Sequence, residues 1–525
     1  MIPQITGKRE MHEKKIVLPK LLTVSSDFDE NALQVFRERA AVKGIEVILT
    51  ENGFLRIERE DTLAKEGYLL SVQEEEIRVA ASSQEGVIRA LTTLIKMTDN
   101  EKRVQSCCMA DAPKAAHRGL HLDVARHFFD AKEVKRIIEQ LSLAKMNVFH
   151  WHLADDQGWR IESKKYPKLQ ECSGQYYTQE EIKEVVAFAA ARGIEVIPEI
   201  DMPGHTRAVL AAYPQYSCSG RNVRLARAGG IYRVILCAGA DSTYDFIEDL
   251  LDEICPLFPS ERFHIGGDEA PKVEWQSCPV CAAKMAEQKL TRYEDLQGYF
   301  SVRIADILGK HGKRPILWND SLDSTLRPDN MQMQYWSVTY NKPSAEYIAQ
   351  GGQWIYSDMF ELYLDYPHAM TSVKKIYDNR IDLGSCEYDP ANAPYGYEAC
   401  VWTEHITTNE ELEKRIFPRI YALAELAWHG AGDYEEFEMR LKQEMAETKK
   451  AGISVVPYDG WNPEGGRRQK EAFDYMGAMH VDLPEEDQDE VVDPSGVGED
   501  FRRKFMSRFF KEEDIPGILN KGAQE

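Results

Sequence analysis

The stretch "TQEEIKEVVAFAAARGIEVIPEIDMPGH", Thr178 to His205, contains one complete structural unit. Its first half reads as a helix closed by Gly193, because glycine takes the left-handed backbone angles that end a helix without a Cβ clash. Its second half, "IEVIPEID", has the apolar composition of a buried strand and runs into Asp201 and His205.

The same rhythm extends outward in both directions. From His117 onward the strand candidates are "RGLHLDV", "NVFHWH", "IEVIPEID", "RFHIGG", "RPILWN", "MQMQYW", "QWIYS" and "EACVWTE". Helical stretches such as "AKEVKRIIEQLSLAK" lie between most of them. Apolar strands alternating with helices predict an α/β fold, a closed parallel (β/α)8 TIM barrel over residues 113–430. Only the link between "RPILWN" and "MQMQYW" is too short for a full helix. Residues 1–112 read as a small α+β domain, with strands at "GIEVILT" and "EEIRVAA" and a helix at "SQEGVIRALTTLIKM". Residues 431–525 form a C-terminal helical extension. Within it, Asp482 to Asp500 reads as an acidic linker, and "FRRKFMSRFFKEED" as a basic amphipathic helix packed on the body.

The chain has 525 residues and a formal net charge of -23, which argues against nucleic acid or an anionic membrane as partner. No stretch has the length and apolarity of a bilayer span, and the N-terminal residues lack the apolar run of a signal peptide. Ten cysteines without dense regular spacing predict reduced thiols in a cytoplasmic protein. Assembly into a homo-oligomer is compatible with such a chain.

In a barrel of this kind, the C-terminal ends of the strands share one pocket. Here those ends carry carboxylates and tryptophans: "FHWHLADDQGW", "PEIDMPGH", "GGDE", Trp318, Trp336, Tyr363 and Asp365 in "LYLDYP", and Trp402 with Glu404. One tryptophan is more often core packing, but three at three strand ends beside ionisable groups suit the apolar faces and hydroxyls of a sugar. There is no serine nucleophile elbow and no phosphate-binding glycine loop.

Asp268 and Glu269 pose a problem for ordinary glycoside hydrolysis, which places two carboxyl groups on opposite sides of the bond, about 5 Å or roughly 6.5–9.5 Å apart. Adjacent residues on a strand point to opposite faces, although Gly266 and Gly267 relax the backbone enough to bring both into the pocket. Even so, both would act from one wall. That arrangement suits a 2-acetamido sugar whose own carbonyl oxygen attacks the anomeric carbon to give an oxazolinium ion. One acid then protonates the leaving oxygen, and an adjacent carboxylate orients the acetamido N–H. Neighbouring like charge favours a proton held by the pair.

Taken in order, "HRGLHLDVARHFF", "FHWHLADDQGWR", "EIDMPGH", "HIGGDE", "LYLDYP" and "VWTE" resemble glycoside hydrolase family 20, the β-N-acetylhexosaminidases, over roughly Ala116 to Trp428. The segment "EGYLLSVQEEEIRVAASSQEGVIRALTTL" is similar to the small domain that precedes the barrel in that family. The resemblance implies an exo-acting retaining enzyme that removes terminal GlcNAc or GalNAc from small carbohydrate substrates, with no metal or cofactor. It implies Glu269 as general acid/base and Asp268 as the group that orients and polarises the acetamido function. Arg118 and Glu404 would bind outer hydroxyls, Tyr363 the acetamido oxygen, and Asp365 a further hydroxyl. Trp318, Trp336 and Trp402 would line the acetamido pocket and ring platform, with Asp201 and His205 supporting the acid. His405, beside the last motif, would crowd the outer subsite.

Two other functions compete. A metal-dependent amidohydrolase-type barrel would use His150 and His152, which strand alternation puts on one face, with Asp155, Asp156, Asp201 and His205; it would need a further histidine that no later strand end offers. A catalytically inactive carbohydrate-binding protein would not need the acidic pair. "CPVC" at Cys278 to Cys281 is half of a zinc or redox motif; with no partner pair nearby in sequence, it reads as free thiols.

Overall fold

A computed structural model describes residues 1–383, 389–478, 490–493 and 499–519. The N-terminal part is a seven-stranded sheet of β1 (Arg9–Val17), β2 (Leu21–Ser26), β3 (Glu46–Leu49), β4 (Leu55–Arg59), β5 (Tyr68–Val72), β6 (Ile77–Ala81) and β7 (Arg103–Asp111). Their spatial order is β1-β7-β5-β6-β4-β2-β3. Helices Asn31–Val42 and Gln84–Met97 cover one face. Alternation explains the packing: Ile77, Val79 and Ala81 of β6 are buried while Arg78 is exposed. Ser83 begins the second helix by accepting a hydrogen bond from Gly86 N at 3.2 Å.

The barrel closes in chain order from eight parallel strands, as the sequence predicts. They are β8 (His117–Asp123), β9 (Val148–His152), β10 (Glu195–Glu199), β11 (Arg262–His264), β12 (Arg314–Trp318), β13 (Gln332–Tyr335), β14 (Trp354–Tyr356) and β15 (Gly396–Val401). Between β12 and β13 stands only the 3-10 turn Asn319–Asp323, the short link expected there.

The barrel interior is layered. Val148, Ile197, Ile316 and Ile355 form an apolar cluster at one level. Another level is polar and centred on Glu199. Its Oε2 accepts from His152 Nδ1 at 2.5 Å, with His150 Nε2 at 3.2 Å and His121 Nε2 at 3.4 Å. Its Oε1 lies 2.9 Å from both His264 Nδ1 and Trp318 Nε1. Glu398 pairs with His117 and His150 at 2.6 and 2.7 Å. Burial pushes both carboxyls up, but the surrounding histidines outweigh it and hold Glu199 and Glu398 well below the usual carboxylate range.

The small domain docks at the N-terminal end of β8 and decides the place of Arg118. This residue is fully buried at the opposite end of the strand from the pocket. Its Nη2 donates to Glu66 Oε1 at 2.6 Å, and Nη1 and Nε donate to the carbonyls of Ala115 and Lys145. The guanidinium also lies 5.0 Å from the Trp428 ring. Arg118 is therefore a domain-junction residue, which corrects its assignment to a sugar hydroxyl.

In the C-terminal part, the amphipathic segment packs through its apolar face, as expected: Phe505, Met506, Phe509 and Phe510 cluster with Tyr366, Met370 and Met476. Most of the acidic stretch Asp482 to Asp500 lies outside the described residues. The portion that is described departs from a solvated linker, because Val491–Asp493 pairs antiparallel with Ile231–Tyr232 and Glu490 forms an ion pair with Arg221 at 2.5 Å. Among the described residues, no helix is long and apolar enough to cross a membrane.

Candidate active site

Glycine geometry at the end of β11 creates the acidic pair. Gly266 and Gly267 have φ of 64° and 93°, and Glu269 itself sits at 48°. A Cβ on Gly266 would fall 1.7 Å from Asp201 Oδ1, so no other residue fits there without displacing that carboxylate. Gly267 N donates to the same Asp201 oxygen at 3.0 Å. The bent backbone brings both Asp268 and Glu269 to one histidine: His205 Nε2 lies 3.7 Å from Asp268 Oδ2 and 3.6 Å from Glu269 Oε2. Both acids thus stand on one wall.

A charge chain supports this wall from below. His205 Nδ1 faces Asp155 Oδ1 at 3.2 Å, and Asp155 Oδ2 lies 2.9 Å from His152 Nε2, which in turn meets Glu199. Burial opposes charge on His205, but Asp155 and Asp268 raise its pKa well above the usual imidazole value. Asp268 is pushed up to about 6 by burial first, with His205 pulling it down and Glu269 pushing it up. Burial and Asp268 push Asp201 well above the usual carboxylate range. Asp268 Oδ1 is buried and has no hydrogen-bond partner, as befits an acceptor awaiting a ligand donor.

Sequence reasoning did not single out Asp320. It follows Trp318 in the 3-10 turn, accepts from Trp336 Nε1 at 2.5 Å, and accepts from Glu269 N at 3.3 Å. Burial, then Asp268 and Glu269, push it up to about 8. The signal available was an acid two residues after a strand-end tryptophan, in "LWND".

Aromatic residues adjoin these acids, Trp336 through its bond to Asp320. Trp336 and Tyr363 are nearly parallel, with 6.5 Å between ring centroids and 16° between planes. Trp402 stands 6.3 Å from Tyr363 and 6.0 Å from Trp318. Trp318 is almost wholly buried beneath and is held by Glu199.

Arg126, not Arg118, occupies the rim. Its Nη2 lies 2.9 Å from Asp155, its Nη1 3.3 Å from Asp123 and its Nε 3.2 Å from Glu404. The guanidinium covers the Trp402 ring at 4.7 Å. Asp123 fixes the turn by accepting from Ala125 N and Arg126 N. Asp365 has a buried Oδ1 without a partner and is raised to about 7 by burial and by Glu404. His405 is exposed and reaches the Tyr475 ring at 6.4 Å.

Two metal-related expectations change. His150 and His152 do share a face, but His264 and His121 from other strands join them, so further histidines are present. All four converge on Glu199 inside the barrel. "CPVC" also has a partner pair: Cys218 and Cys237 come within 4.8 Å of Cys278 and Cys281, sulfur to sulfur.

Comparisons with known proteins cover both the barrel and the domain before it. The catalytic-domain description of glycosyl hydrolase family 20 matches residues 116–431, and its domain 2 matches residues 2–112. A β-hexosaminidase of Porphyromonas gingivalis is 33% identical over 440 residues, covering 75% of this chain and 55% of that protein. One from Akkermansia muciniphila is 30% identical, covering 72% and 83%. The chain spans 55% and 65% of the curated relatives from Porphyromonas gingivalis and Vibrio furnissii. Among solved structures, the β-N-acetylhexosaminidase of Bacteroides fragilis superposes with a TM-score of 0.80 at 31% identity, covering 87% of this chain and 97% of that one. A mutant Streptomyces plicatus β-hexosaminidase in complex with its product GlcNAc gives 0.78 at 28% identity, covering 89% and 97%. With matches to the catalytic domain and to the domain before it, this chain belongs to glycosyl hydrolase family 20.

Proposed function

We propose that this protein is an exo-acting, retaining β-N-acetylhexosaminidase that releases terminal GlcNAc or GalNAc through an oxazolinium intermediate. The observation that carries the reading is the one-walled acid pair, Asp268 and Glu269, both on His205, with Asp268 Oδ1 unpartnered. A protein nucleophile would have to stand across the scissile bond from the acid. In this reading the sugar's acetamido oxygen attacks the anomeric carbon, and Glu269 gives its proton to the departing oxygen. Asp268 accepts the acetamido N–H and offsets the charge that develops on nitrogen. Water then attacks the anomeric carbon and opens the oxazolinium ring, giving its proton to the Glu269 carboxylate, which restores the acid. Tyr363 donates to the acetamido oxygen, Trp318, Trp336 and Trp402 line its pocket, and Arg126 with Glu404 holds hydroxyls at the rim.

The named relatives support the substrate class, as does the product GlcNAc in the Streptomyces plicatus complex. A cytoplasmic setting is part of the proposal, in keeping with thiols rather than disulfides among the described cysteines. The test compares nitrophenyl β-GlcNAc, β-GalNAc and plain β-glucoside. Turnover of both acetamido sugars with none of the glucoside is expected. Equal turnover of the glucoside would overturn the mechanism, as would a glycan trapped covalently on a carboxylate of the chain. Asp268→Asn should lose rate on acetamido substrates and weaken inhibition by a thiazoline analogue of the intermediate.

A further inference from the structure

We propose that Cys218, Cys237, Cys278 and Cys281 form a structural zinc site that pins the loop following β10 to the loop following β11. The argument begins with the sulfur positions. Cys218 and Cys281 are 3.7 Å apart, Cys237 and Cys281 3.7 Å, and Cys237 and Cys278 3.9 Å. All four sulfurs lie within 4.8 Å of one another. Zinc bound by thiolates at about 2.3 Å in a tetrahedron sets the edges of that tetrahedron at about 3.8 Å. A disulfide would need about 2.05 Å, and any pairing of the four sulfurs two by two leaves at least one of these three close approaches unexplained.

The local backbone suits thiolates. Cys278 caps the helix Pro279–Gln288, and its sulfur accepts from Cys281 N at 3.5 Å. The positive end of that helix favours the anionic form of both sulfurs. Cys237, Cys278 and Cys281 are buried and Cys218 is half-buried, which leaves an approach from one side. Four cysteines complete a zinc shell and leave no open position, so the ion is structural and stands outside the hydrolytic chemistry. Binding exchanges four thiol protons, released to solvent, for one divalent cation.

The position gives the site its purpose. His205 lies on the loop that continues to Cys218 and Cys237; Asp268 and Glu269 lie on the loop that continues to Cys278 and Cys281. The two loops already press together: a Cβ on Gly239 would sit 2.6 Å from the Cys281 backbone, and Trp275 Nε1 donates to Leu236 O at 2.9 Å. A metal here fixes the histidine relative to the acids it serves.

The test uses the full chain, purified under reducing conditions from zinc-supplemented cells, with metal measured by elemental analysis. About one zinc per chain is expected, falling below about a tenth in Cys278→Ser/Cys281→Ser. Cobalt exchanged into the unaltered protein provides a second readout that does not depend on variant folding: intense sulfur-to-cobalt charge transfer and tetrahedral d–d bands. Absence of both zinc and the cobalt–sulfur bands would overturn the proposal. So would unchanged zinc in the double variant, or two disulfides found by counting thiols in the unfolded protein. None of these readouts uses a sugar substrate, so the outcome is independent of the proposed hydrolysis.

Discussion

Replacing Arg118 with methionine separates a structural from a substrate-binding role. Burial pushes the Glu66 carboxyl up, but Arg118 and Arg89 outweigh it and hold its pKa at about 2 rather than 4.5. At about 1.4 kcal/mol per pH unit, the two guanidiniums leave Glu66 a net stabilisation of about 3 kcal/mol. Arg89 Nε donates to Glu66 at 2.9 Å and remains as a partner after the change, so the loss from Arg118→Met is about 2 kcal/mol, below the roughly 3–5 kcal/mol of a fully broken buried pair. The sign with pH follows from the depressed folded-state value: the contribution is complete above the unfolded pKa of 4.5 and fades as pH falls towards 2. The melting temperature of Arg118→Met should therefore lie a few degrees below that of the unaltered protein at neutral pH, and the gap should close on acidification. The double variant Arg118→Met/Glu66→Gln should regain part of the loss. Thermal unfolding from neutral to acid pH, with kcat and KM on nitrophenyl β-GlcNAc at neutral pH, measures all of this. A normal melting temperature with a roughly hundred-fold drop in kcat/KM would show that Arg118 acts on the sugar and refute the reasoning.

Three other outcomes are expected. Arg126→Ala removes the cation shared by Asp123, Asp155 and Glu404; loss of one charged hydrogen bond to the sugar, about 1.5–3 kcal/mol, should lower kcat/KM by roughly 10- to 150-fold, with part of the loss in KM. Glu269→Gln should lower kcat by about 10²–10⁴-fold while binding of a product sugar, followed by calorimetry, persists. Activity should fall on the acid side near pH 6, where Asp268 takes up a proton and ceases to accept an N–H. Since His205 pulls that pKa down, His205→Asn should move the acid limb of the kcat/KM profile to higher pH; a limb that stays in place would exclude Asp268 as the titrating group.

Burial determined what could be read from the sequence. The barrel strands are buried on both faces, and short stretches rich in apolar residues recur between helical ones, so all eight stood out even though the lumen adds His, Gln and Glu to them. By contrast, β1 is an edge strand with most side chains exposed, and "REMHEKKIV" carries no alternation to find it by. Arg118 was misplaced although the barrel rule itself, that C-terminal strand ends face the pocket, points to Arg126 in the same motif. Asp268 and Glu269 were legible because their glycines precede them directly. Asp320 was hidden in a turn. The cysteine cluster was half visible: Cys278 and Cys281 form a local motif, whereas Cys218 and Cys237 reach it only through the folded loops.

The hub at Glu199 shapes how this barrel can diverge. Four imidazoles and an indole, contributed by β8, β9, β11 and β12, converge on one carboxylate carried by β10. Exchanging any one of them takes a partner from the buried Glu199 carboxylate, and exchanging Glu199 leaves the imidazoles without their shared counter-charge, while a wholesale switch to aliphatic side chains would avoid both penalties. The lumen is thus inherited as a block: a lineage keeps the whole set or trades it in a single concerted step, and random mutagenesis of this barrel should recover survivors at its helices far more readily than at these inward positions.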